Sequence, residues 1–251
     1  MSPAFEEMGL HLSSSKGQST EQRPAEKLWG TFTKKERWGL SRRGWTTFLL
    51  GLVVAAVVVI FGAQPFLAVT RPASTDILVV EGWLPTFCLQ EVAAECKNHA
   101  YRHVLVVRPI LSFGDKYDSG RYSGDYVATS LVECGVPNES VSTLFCRASD
   151  RDRTYHTALA ARHWFATNGV DVKALNVATL GPHARRSRML FQKAFGDDVN
   201  VGVIALEDKG YEAAHWWRYS RGVQEIGGEG LAYLYARIVF HPSIPPDKEP
   251  L

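Results

Sequence analysis

The side chains best suited to chemistry are concentrated in ten consecutive residues, Thr179-Leu180-Gly181-Pro182-His183-Ala184-Arg185-Arg186-Ser187-Arg188. They follow a strand-like run, Leu175 to Ala178, and open a helix-like one, Ala184 to Phe195. A tight turn from a strand into a helix is where an open α/β sheet presents its ligand groups. Exposed backbone N–H groups at that helix start, with His183 and the arginines beside them, suit a phosphate or carboxylate. Arg186, supported by Arg185, would hold the anion, and Thr179 at the end of the strand would contact it as well. A solvated helix face with His183 as a capping residue is the competing reading, and the turn alone does not separate the two.

A second group of candidates lies just after the other strand-like runs: Glu81 and Gly82, Arg108, Asp150, Asp152 and Arg153, and finally Glu207 and Asp208. If the strands are parallel, all of them gather along one edge with His183. Mixed acids, bases and one histidine converging there suggest catalysis more than docking. Glu81 and His183 are the candidates for proton transfer, because histidine titrates near neutrality and a carboxylate in a cleft can be tuned upward. Asp152 would orient a partner or cap its helix, and Gly82 and Arg153 would line the anion site. A metal held by Glu81, Asp152 and His183 finds no ligand spacing to support it, so none is expected. The cofactor stays open.

These residues need a scaffold, and the chain supplies its pattern from Thr75 to Phe240. Short, nearly all-apolar runs at Ile77–Val80, Val104–Val107, Val141–Phe145, Leu175–Thr179 and Val201–Leu206 read as strands buried on both faces. Amphipathic segments at about Leu89–Asn98, Asp125–Cys134, Thr154–Asn168 and Ala184–Phe195 fit between them, with a last long helix from about Ala214 to Phe240. Asp152 is placed to cap the third helix and Gly169 to stop it. The alternation predicts an α/β fold, a Rossmann-like doubly wound, mostly parallel sheet of about five strands, preceded by one transmembrane helix.

That helix is expected in the uncharged run from Gly44 to Thr70, which exceeds the roughly 20 residues needed to cross a bilayer. No small-x-small pair follows the apolar run, which favours a retained signal anchor over a cleaved signal peptide. Lys34, Lys35, Arg37, Arg42 and Arg43 precede it against one acid, Glu36, so the N-terminus is expected in the cytoplasm and the rest outside the inner membrane. Residues 1–43 hold eight Lys/Arg and five Asp/Glu, leaving twenty against twenty-one beyond, a balance that makes nucleic acid an unsuitable partner. Residues 1–28 read as a disordered polar tail within the cytoplasmic segment 1–43, and 241–251 as a Pro-rich tail. Trp29, Phe32, Trp38 and Trp45 suit a membrane interface.

Cys88, Cys96, Cys134 and Cys146 lack metal-finger spacing. They read as four buried thiols, with Cys134 and Cys146 the sequence-local candidates for a disulfide. Trp216-Trp217-Arg218-Tyr219 could stack on a sugar, rest on a bilayer or pack the last helix. Gly227, Gly228 and Gly230 would each weaken that helix by about 1 kcal/mol relative to alanine unless close packing requires them.

Taken together, Thr179, His183 and Arg186 as a Thr-x-x-x-His-x-x-Arg turn, Asp76 to Val80 followed by Glu81-Gly82, Gly135-Val136-Pro137, and the acid-flanked Asp150 to Thr154 resemble the SanA, ElyC and YdcF family of bacterial envelope proteins. The resemblance covers most of Asp76 to about Gly210. It departs at Arg108-Pro109-Ile110, where many members have a glycine-rich loop, and at His156-Thr157, where they have Glu-Asn. A loop without glycines approaches a phosphate less closely. The resemblance implies a membrane-anchored protein of peptidoglycan or lipid-carrier metabolism; YdcF-like members are reported to bind S-adenosylmethionine, and the anchor favours the SanA-like and ElyC-like group. The expected partners are the bilayer and a phosphorylated lipid-linked or nucleotide-like small ligand. An anchored enzyme acting on a phosphorylated or carboxylated envelope precursor is the leading expectation, and a non-catalytic binding or scaffold protein the alternative.

Overall fold

A computed structural model of the chain describes residues 39–110, 126–147 and 152–242. The expected tail 1–28, all but the first two residues of the expected tail 241–251, most of the basic flank, Trp29, Phe32, Trp38, Asp125 and Asp150 lie outside the described residues. Contacts separate residues 1–49 from 50–251, and the α/β domain belongs wholly to the second unit.

All five expected strands form: β1 (Ile77–Glu81), β2 (His103–Ile110), β3 (Val141–Arg147), β4 (Ala174–Leu180) and β5 (Asn200–Leu206). They make one parallel sheet in the order β3-β2-β1-β4-β5. Successive side chains of a strand point to opposite faces. Accordingly Ile77, Val79, Leu105, Val107, Leu175 and Val177 join one core with Phe165 and Phe191, while Leu78, Val80, Val104, Val106 and Ala178 join a second with Leu89 and Leu131. The first core is covered by α4 (Arg153–Thr167) and α5 (Ala184–Phe195), the second by α2 (Thr86–Asn98) and α3 (Tyr126–Glu133). A sheet with helices on both faces buries both sides of every central strand, which is why these runs carry almost no polar residues.

The apolar N-terminal helix, α1, runs from Arg42 to Leu67, so it begins two residues before the uncharged stretch and ends three before its end. Its most apolar 18-residue window has a mean hydropathy of 2.5, and among the described residues it alone is long and apolar enough to cross a membrane. Beyond it the chain is fastened to the sheet. Arg71 exchanges backbone hydrogen bonds with Val203, and the buried Asn176 side chain accepts from Ala73 N–H and donates to Ala73 C=O and to the Tyr101 hydroxyl.

The expected last helix is two elements. A 3-10 segment, Ala213–Arg218, is kinked at His215, and α6 (Ser220–Ile238) starts after the extended Tyr219. Trp216 is buried against Leu67, Tyr211 and Ile226, and its indole N–H donates to the Ile60 carbonyl, so the tryptophan pair packs on α1. Gly227, Gly228 and Gly230 have nothing within 4 Å of where a Cβ would stand, so close packing does not require them. The four cysteines are free thiols, and only Cys88 is buried.

Candidate functional site

The strand order places a switch point between β1 and β4, because the connections leaving them go to opposite faces of the sheet, β1 to α2 and β4 to α5. Pairing of Val80 with Ala178 brings the next residues, Glu81 and Thr179, together at the carboxyl ends of these strands. Glu81 is only 2% exposed, and Thr179 is fully buried. The Thr179 hydroxyl donates to Glu81 Oε2, and Ser187 Oγ lies 3.3 and 3.4 Å from the two carboxylate oxygens. A buried carboxylate survives only when such donors replace its water. Thr179 therefore anchors Glu81, where the sequence suggested a ligand contact.

After β4 the chain makes one 3-10 turn, Gly181–His183, before α5. Pro182 has no N–H, Gly181 and Pro182 are buried, and the Ala184 N–H bonds the Gly181 carbonyl. The turn thus differs from the expected open row of backbone donors, and side chains carry its chemistry. His183 projects over the switch point with 12% side-chain exposure, and its Nε2 is 3.7 Å from Glu81 Oε2. That separation suits an ion pair and exceeds a good hydrogen bond. Nε2 is buried and has no hydrogen-bond partner among the described residues.

Glu229 on α6 holds the other nitrogen. His183 Nδ1 is 2.8 Å from Glu229 Oε1, while Arg186 reaches the same carboxylate through Nε (2.8 Å) and Nη2 (3.0 Å). Arg186 Nη2 is also 2.9 Å from His183 Nδ1. A guanidinium can only donate, and Glu229 is the acceptor available to both, so the consistent assignment has Nδ1–H and both arginine groups donating to Glu229. Burial by itself would raise the Glu229 carboxyl, but the hydrogen bonds and charges of His183 and Arg186 outweigh it and bring it from 4.5 down to about 2. With Nδ1 committed, Nε2 is an acceptor when the ring is neutral and a donor when it is charged. Trp83 stands edge-on to the ring at 5.1 Å and limits its tilt.

A cleft of about 870 Å³ opens over this group. Glu81, Gly82, Asp152, Arg153, His183 and Arg186 all line it, together with Arg108, Thr154 and Thr157. Trp83, Pro182, Leu190, Ala232 and Tyr235 give it an apolar wall. Gly82 is required by close approach: its N–H bonds the Val107 carbonyl, and a Cβ there would stand 2.9 Å from that oxygen. Asp152 precedes α4 as expected, but in the left-handed region (φ 53°, ψ 42°) and without a side-chain cap hydrogen bond. It therefore offers its carboxylate to the cleft rim instead of to the helix. A non-glycine residue in this region is uncommon and clusters at functional sites.

Arg185 does not join the cleft. Its Nε donates to the Phe66 carbonyl and its guanidinium stacks 4.0 Å from the Phe66 ring, fastening α5 to the end of α1. Glu207 and Asp208 are also elsewhere: the Glu207 N–H donates to the Glu91 carboxylate, and Asp208 pairs with Arg221. Among the described residues no three His, Cys, Asp or Glu side chains converge as a metal-binding set. Desolvation by burial pushes the Cys88 thiol up to about 12, which removes it as a nucleophile at neutral pH.

Sequence reading missed Glu229, Ser187 and Trp83. Ser187 was within reach, since a residue four positions after His183 shares its helix face. Glu229, a carboxylate between two glycines of the expected last helix, carried a weaker signal. Scans against protein-family models, curated proteins and solved structures each return no match, so the residues of this cleft, and not a relative, carry the functional argument.

Proposed function

We propose that the protein is a single-pass, membrane-anchored enzyme that performs general acid–base chemistry on a phosphorylated or carboxylated cell-envelope precursor, in the manner expected of the SanA, ElyC and YdcF family. The observation that carries this reading is His183 Nε2, a buried and unpartnered nitrogen at the cleft floor whose ring is fixed by Glu229 and which faces the Glu81 carboxylate. A histidine used only for packing satisfies both nitrogens or exposes one to water. Here one nitrogen is held and the other is kept free, as a proton-transfer group requires.

Arg153 is an exposed cation among the described residues of the cleft and sits at the first residue of α4, where the helix dipole also favours negative charge. It would take the anionic group of the substrate. Arg186, turned onto Glu229, would act by positioning His183. The apolar wall of Trp83, Leu190 and Ala232 suits a lipid or sugar portion beyond the anion. The basic flank before α1 supports a cytoplasmic N-terminus and an extracytoplasmic domain.

Rescue of the envelope defect of a strain lacking this chain tests the reading. His183→Ala is expected to abolish rescue while the protein stays folded in thermal melts, because Arg186 still neutralises Glu229. Full rescue by the double variant His183→Ala, Glu81→Ala would defeat the catalytic reading and leave a ligand-binding or scaffold role. Orientation is checked separately: alkaline phosphatase fused to the C-terminus should be active in the periplasm.

A further inference from the structure

The face of α6 directed away from the core is apolar. Val223, Leu231, Leu234 and Ile238 are exposed by 48, 72, 51 and 66%, and Gly227 lies among them with open space around it. Their spacing follows the helical repeat, so they form one stripe. The opposite side packs inward through Gly222, Ile226 and Ala236. A surface helix normally turns charged residues outward, and a helix apolar on both sides has a second apolar neighbour.

The position of α1 identifies that neighbour. Tyr233 stacks edge-on to Phe66, and Ile226 packs with Leu67, so one flank of α6 lies against the end of α1. The other flank, through Glu225, Glu229, Ala232 and Tyr235, lines the cleft. By helical rotation the exposed stripe lies between these two flanks. Depth is set by the segment leading into α6: Trp216 donates to the Ile60 carbonyl at 2.8 Å, and Trp217 meets the Phe61 ring at 5.1 Å. Counted from Gly44, the roughly 20 residues that cover a hydrocarbon core end near Ala63, so this tryptophan pair stands at the bilayer boundary, where such rings concentrate. The exposed Arg218 and Arg237 flank the stripe and can reach anionic headgroups.

We propose that the outward face of α6 rests on the lipid bilayer beside α1, so that the two helices form one membrane-contacting surface and the cleft opens next to it. The proposal deepens the functional reading and rests on α1 spanning the membrane: a substrate carrying its anion on a lipid would enter over α6 without leaving the bilayer. A second copy of the chain would also bury the stripe, but it would not account for the stripe lying beside the end of α1, on the helix that follows the tryptophan pair.

The full-length chain, reconstituted in vesicles of phosphatidylethanolamine and phosphatidylglycerol, tests this with the photoreactive residue benzoylphenylalanine replacing Val223, Leu231, Val54 or Lys173 one at a time. Phospholipid adducts, read by mass spectrometry, are expected at Val223, Leu231 and the span position Val54, several-fold above Lys173, which lies on an exposed turn of the domain. Lipid adducts at Val54 with only protein crosslinks or no adduct at Val223 and Leu231 would overturn the proposal while leaving the anchor intact. A covalent dimer through Leu231 would assign the face to a second copy, and adducts within the chain would assign it to another segment; either result also overturns the proposal. Absence of lipid at Val54 would overturn the anchor and the proposal together.

Discussion

Replacing Glu229 by glutamine keeps its size and one acceptor oxygen but removes the charge that Arg186 and His183 share. The carboxyl titrates near 4.5 when unperturbed and near 2 in the fold, so at about 1.4 kcal/mol per pH unit its ionised form contributes about 3 kcal/mol to stability at pH 7. Side-chain exposure of only 15% for Glu229 and 18% for Arg186 keeps solvent screening small. The sign follows from linkage: a carboxyl whose folded pKa is depressed gives its full contribution above its unfolded value and loses it as pH falls through its folded value. The contribution is therefore complete above about pH 5, falls to about 1 kcal/mol at pH 3 and vanishes below about pH 2. Glu229→Gln should lower the melting temperature of the detergent-solubilised protein by about 6–12 °C at pH 7. The gap between variant and wild type should shrink by more than half at pH 3, where the wild-type carboxyl is itself losing its charge. Equal gaps at pH 7 and pH 3, or an unchanged melting temperature at pH 7, would show that the charge is not what holds α6 to His183.

Two glycine substitutions separate close approach from helix propensity. Gly82→Ala should destabilise by about 1–3 kcal/mol and displace Glu81, since its Cβ would stand 2.9 Å from the Val107 carbonyl and 3.1 Å from Arg108 Cβ; an unchanged melt would contradict this packing. Gly228→Ala should stabilise by about 0.5–1 kcal/mol, because nothing lies within 4 Å and only the flexibility of glycine is lost, and a lower melting temperature would show a contact that the packing does not contain. Asp152→Asn should leave the melt unchanged, since asparagine also tolerates the left-handed conformation, while reducing rescue if the carboxylate serves the cleft.

Hydrophobic periodicity was enough to find the fold because each strand is buried on both faces and each covering helix on one, so every element wrote its own pattern into local sequence. Ile77–Val80 and Leu175–Thr179 could be recognised as parallel strands without knowing their partners, and parallel pairing alone then sends Glu81 and His183 to the same edge. The apolar run of α1 was equally legible, being long and uncharged. Tertiary structure decided what those residues do there. Arg185 and Arg186 are adjacent in sequence, yet the helix turns one onto Phe66 and the other onto Glu229. Glu229 meets His183 from 46 residues away only because the kink at His215 and the extended Tyr219 set the path of α6 across the cleft. No local spacing encodes such a crossing, since it depends on how α6 packs against α5 and the turn that carries His183. The roles of the site therefore came from the fold, and its ingredients from the chain.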